Sequence, residues 1–163
     1  MNFSKLFVAG ILFVCFAASA VRAETPFDVT LCVAGPVTTI TSSEELTILG
    51  VELKGILMSN HDNKVFDNVV YHFIGVSGIS AGQVDGRGYS KMIDTNGDSI
   101  FTQTTTLGPL AKPEWKMKLL QGTGKWKGIA DGGDVTQITK RSPVVEGSYR
   151  ACYRIVGAFE LPR

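Results

Sequence analysis

Short runs of alternating apolar and polar residues, broken by glycine, proline and asparagine, fill the chain from residue 25 onward. A period of two puts successive side chains on opposite faces of a strand. Phe27–Val33 sets Val29, Leu31 and Val33 on one face. Leu46–Met58 sets Leu49, Val51 and Leu53 against Glu52 and Lys54, and Gly50 and Gly55 within it predict a bend or bulge. Val65–Val76 has two apolar faces, Val69, Tyr71, Phe73 and Val70, His72, Ile74, which predicts cover on both sides. Gln83–Ile93 carries Val84, Gly86, Gly88, Ser90 and Met92 on one face, small residues that suit the inside of a closed sheet.

Asp94-Thr95-Asn96-Gly97-Asp98 then predicts a tight hairpin, because Asn-Gly tolerates the positive φ such turns need. Ile100–Leu107 is its partner strand and Trp115–Leu120 follows. Gln121–Gly133 reads as a turn or one helical turn. Asp134–Thr139, Pro143–Arg150 and Ala151–Leu161 complete the set. Eight or nine strands with no long helix and no linker predict one all-β domain, an antiparallel barrel or sandwich.

Residues 1–23 do not fit that pattern. Lys5 precedes an apolar run of about 13 residues, shorter than the ~20 a spanning helix needs, and Val21-Arg22-Ala23 offers small residues for cleavage. This predicts a signal peptide over 1–23, an exported domain over 24–163, periplasmic or secreted, and no membrane anchor after cleavage. An oxidising destination makes a Cys32–Cys152 bridge the expected state of the two remaining cysteines. The formal net charge is +1 over 163 residues, so no field exists to attract nucleic acid.

The most distinctive stretch is Gln121-Gly122-Thr123-Gly124-Lys125-Trp126-Lys127-Gly128-Ile129. It resembles the Gly-[Thr/Ser]-Gly-x-aromatic-x-Gly signature of the allene oxide cyclase barrel superfamily, which includes the dirigent proteins. Small exported bacterial members similarly pair it with an Asp-x-Asx-Gly-Asp hairpin, here Asp94–Asp98. The resemblance spans roughly Gly86 to Gly133 and implies an eight-stranded closed antiparallel barrel with a central cavity. Plant members form trimers, so a homo-oligomer, trimer or dimer, is implied as well. Gly122 and Gly124 are expected at positive φ, with Trp126 plugging one barrel end and Gly128 allowing close packing. The motif carries no catalytic group, and no catalytic residue transfers to this chain.

Other chemistry is thin. Asp94–Asp98 begins like a calcium loop, but Ser99 and Thr105 stand where glycine and glutamate are required. Gly122–Gly128 lacks the Lys-Ser/Thr of a phosphate loop, and no Gly-x-Ser-x-Gly exists. Two histidines make a histidine-rich metal site improbable, and no cofactor is implied. His72 is the histidine expected to reach the interior, as a base or ligand donor or simply as a satisfied core residue. Tyr71, Phe73, Tyr89, Phe101 and Trp115 are the aromatic candidates for a cavity wall. A barrel this narrow is filled by its own side chains or holds one small ligand. The leading function is binding of a small apolar or amphipathic molecule without catalysis. The alternatives are an isomerase or cyclase that shapes a reactive substrate, and a structural protein with a filled barrel.

Overall fold

The computed structural model describes residues 24–43, 45–139 and 145–162, so the leader expected at 1–23 lies outside it. Eight strands run in chain order: β1 (Thr25–Ser43), β2 (Leu46–Ser59), β3 (Val69–Ser80), β4 (Gln83–Ile93), β5 (Ser99–Pro109), β6 (Glu114–Gly122), β7 (Ala130–Gln137) and β8 (Ser148–Glu160). Each pairs antiparallel with its sequence neighbours, and β8 returns to β1 to close the barrel. Closure gives each of the eight described strands a paired neighbour on both sides.

The alternation decides what is inside. β4 shows it most clearly, with Val84, Gly86, Gly88, Ser90 and Met92 buried and the residues between them exposed. One end of the barrel is packed solid. Phe27, Phe66, Trp126 and Phe159 meet there, with the Phe66 ring 5.1 Å from both Phe27 and Trp126. Leu57, Val69, Met92, Ile100 and Leu119 form the layer next to them.

The plug explains why the hairpin and the glycine motif share a chain 25 or so residues apart. Asp94 is buried at the β4–β5 hairpin. Its Oδ1 accepts the backbone N–H groups of Asn96 and Asp98 at 2.8 and 3.0 Å. Its Oδ2 accepts the Trp126 indole N–H at 2.9 Å and the Lys125 ammonium at 2.7 Å. The hairpin therefore clamps the single 3₁₀ turn, Gly124–Trp126, that carries the plug. Burial pushes the Asp94 carboxyl up, but the bonds from Lys125, Trp126, Asn96 and Asp98 together hold it at about 2. On the outer face of the β1–β8 seam, the Arg154 guanidinium donates to Asp28 and outweighs its burial, with Asn60 adding a third donor; Asp28 is also held at about 2.

Both carboxyls sit below their ordinary 3.8, so the unfolded chain takes up its protons first as pH falls. Their contribution is complete above about pH 5 and is lost progressively as pH falls to about 2, on the order of 2 kcal/mol for each. Thermal unfolding midpoints are therefore expected to drop steeply below pH 4 and to drop less steeply in Asp94→Asn. Parallel pH profiles for the two proteins would contradict the clamp.

Several sequence expectations are corrected. β1 continues ten residues beyond Val33, through Pro36, whose missing N–H coincides with a gap in the β1–β2 pairing. Residues 65–68 are not strand: Lys64, Phe66 and Asn68 take positive φ, and this turn drives Phe66 into the plug. The outer face of β3 is not covered, since Val70, Ile74 and Val76 are all more than half exposed. Gly55 makes no bulge; a Cβ there would lie 2.1 Å from the Cys32 carbonyl oxygen, so it permits close strand approach. Gly122 is not at positive φ either. It is glycine because a Cβ would lie 2.4 Å from the Trp126 carbonyl oxygen, whereas Gly124 and Gly128 do take positive φ, 52° and 80°. The part of Pro143–Arg150 that is described joins Ala151–Leu161 in the single strand β8, entered from a turn at Gly147.

Candidate functional site

The half of the barrel away from the plug is not filled. A cavity of about 180 Å³ lies inside it and reaches the end formed by the β3–β4 and β5–β6 turns. Three cross-strand rows build its wall. Leu53 and Phe73 lie deepest, in register with the buried Ser90 and Thr102 behind the lining; then come Val51, Gly75, Gly88, Thr104 and Met117, and then Leu49, Ser77, Thr106 and Trp115, with Gly86 in the same row beneath Ser77. The space comes from the glycines. Phe73 lies over Gly75 and Gly88, where a Cβ would meet its ring at 2.6 and 2.1 Å. It stacks on Tyr71 with ring centres 6.2 Å apart and planes 10° apart. On the far side Leu31 and Val33 of β1 and Ile155 of β8 give an aliphatic wall. Near the mouth, Trp115 packs edge-on against Tyr153, whose hydroxyl is hydrogen-bonded to that of Tyr149.

The polar groups of this interior are hydroxyls. Burial pushes Tyr71 up to about 12, against the opposing hydrogen bonds of Ser90 and Thr104, so it stays a neutral phenol at any ordinary pH. Ser90 and Thr102 bond to one another at 2.5 Å beneath it. The one charged residue among the described lining is Arg87, which belongs to the exposed set of β4. No acid–base pair faces the cavity from the described residues, and no three metal-ligating side chains cluster among them.

The structure divides the expected site residues by strand parity. Tyr71, Phe73 and Trp115 line the cavity. His72, Tyr89 and Phe101 do not: their neighbours in sequence face inward, so they point outward. His72 Nε2 meets Glu52 Oε1 at 3.0 Å on the surface, where His72 and Lys54 hold the Glu52 carboxyl below its usual value. Tyr89 is 53% exposed and shares a hydrogen bond with Gln103, and Phe101 lies under Lys91. Cys32 and Cys152 face each other in the β1–β8 register and are bridged. Sequence reasoning missed Tyr149, Tyr153 and the inward threonines. Dividing β8 at residue 150 hid the alternation Tyr149, Ala151, Tyr153, Ile155, and a run of four threonines within Thr102–Thr106 carries no hydrophobic signal.

No helix among the described residues is long and apolar enough to cross a membrane. No family model matches the chain, and no curated protein matches it. Among solved structures, the chain is similar to the pterocarpan synthase dirigent protein GePTS1, at 13% identity over 86% of this chain and 93% of that one, with a TM-score of 0.47.

Proposed function

We propose that this protein binds one small, largely apolar molecule inside the barrel, as an exported carrier or receptor without covalent chemistry. The observation that supports this reading is the half-empty interior: one end is sealed by four aromatic rings while the other holds about 180 Å³ walled by apolar side chains. Small-molecule sites are concave, mostly apolar and fixed by a few polar groups. The interior hydroxyls supply the polar groups, and none of them is a base. The Cys32–Cys152 bridge is what an oxidising compartment would maintain, in keeping with export after removal of residues 1–23.

Native mass spectrometry of the protein purified from its own host tests this. One additional small mass per barrel is expected, and the same spectrum reads whether the chain begins at Glu24 and how many copies assemble. Gly75→Ala serves as the control. Its new Cβ would meet the Phe73 ring at 2.6 Å and push that ring toward the cavity, at about 1–3 kcal/mol of stability. The variant should fold and lose the extra mass. A clean apo mass for the natural protein would overturn the carrier reading and favour a structural barrel or an enzyme that releases its product.

A further inference from the structure

The cavity is not chemically uniform, and its asymmetry restricts the ligand. This inference rests on the cavity reading above. The β1, β2 and β8 side offers Leu31, Val33, Leu49, Val51 and Ile155. The β3–β5 side carries Ser77, Thr104 and Thr106. Ser77, Gly86 and Thr106 occupy one cross-strand row on adjacent strands, so all three face inward. Gly86 has no side chain, and Ser77 leans over it: the Ser77 Oγ lies 2.2 Å from where a Gly86 Cβ would sit. The serine hydroxyl is thereby carried across the wall toward Thr106. Thr104 in the next row is already engaged with Tyr71. Ser77 and Thr106 are half-buried and both line the cavity. Each is both donor and acceptor.

The geometry points to a polar notch, Ser77–Gly86–Thr106, that receives one oxygen function of a neutral ligand about the size of a single ring. Three features fix the class. An apolar protein cavity of ~150 Å³ holds benzene, so about 180 Å³ takes a ring and a short substituent. The stacked Tyr71–Phe73 pair and the edge of Trp115 give flat surfaces for that ring. Among the described lining residues the one charge, Arg87, belongs to the outward set of β4, and the inward residues of β1, β2 and β8 at this level are aliphatic or tyrosine, so a bare charge in the notch would be left unpaired. A ketone, alcohol or phenol fits; a carboxylate does not.

Three probes of one skeleton test this, by NMR titration of the protein: acetophenone, ethylbenzene and benzoate. Acetophenone is expected to bind about five- to tenfold more tightly than ethylbenzene, the factor one net hydrogen bond supplies, and benzoate more weakly than either. In Ser77→Ala combined with Thr106→Val, which keeps the wall's shape, the two neutral probes should bind equally. Equal binding by the natural protein, or a preference that survives the double variant, would overturn the notch and leave the cavity reading standing. Tightest binding by benzoate would overturn it in favour of an anion held at the mouth by Arg87. If neither neutral probe binds, the cavity reading fails with it.

Discussion

Replacing Trp126 by alanine is expected to cost about 3–5 kcal/mol of stability, the range for emptying a buried tryptophan site. The indole is 7% exposed and touches Phe66 and Phe159, with ring centres at 5.1 and 5.8 Å. Its loss removes more than area. Phe66 is held at a φ of 56°, a conformation that a bulky residue adopts only when its surroundings compel it. The rings that compel it here are Phe27, Phe159 and Trp126. Taking away Trp126 also deprives Asp94 Oδ2 of one of its two donors. Trp126→Phe separates the contributions, because it restores most of the packing and none of the N–H. Urea denaturation should give a midpoint for Trp126→Phe between those of Trp126→Ala and the natural protein, with a similar slope for all three. Ligand retention below the transition should be unchanged in Trp126→Ala, since the cavity lies in the other half of the barrel. An unchanged midpoint in Trp126→Ala would mean that the plug stands outside the cooperative core.

The division of the interior into plug and cavity shows what a sequence of this kind discloses. Strand parity within β4 was plain because small and apolar residues alternate there without a break. The motif Gly122–Gly128 pointed to the plug, yet the carboxylate that anchors it, Asp94, looked like turn chemistry, because its partners lie 31 and 32 residues downstream and are fixed only by the fold. His72 was misplaced for a related reason. In Val69–Val76 both faces are apolar, so hydrophobicity does not say which face is inside, and the answer depends on pairing with β2 and β4. A central cavity was implied by the resemblance, but what keeps it open was not legible. Gly75 and Gly88 let the Phe73 ring lie against the wall, and glycines in a strand are equally compatible with a bend, a bulge or close packing.

Removing the bridge, by Cys32→Ser combined with Cys152→Ser, is expected to cost on the order of 4–5 kcal/mol in the chain-entropy account. The two residues are 120 apart in sequence, so the link constrains nearly the whole domain in the unfolded state. Little packing should be lost, because Cys32 lies on the outer face and Cys152 is half-buried, and serine fits both positions. The strands it joins are the first and last of the barrel, whose pairing closes the longest loop and forms the final seam. That seam has a functional side. Leu31 and Val33 flank Cys32, Tyr153 and Ile155 lie close to Cys152, and all four line the cavity. Fraying of the seam would thus open the aliphatic wall as well as weaken the barrel. The double variant should show a lower urea midpoint, slower refolding, and looser ligand retention at temperatures where its circular dichroism is still that of a folded barrel. If retention instead follows the folded fraction alone, the seam is a stability element only and the wall does not depend on it.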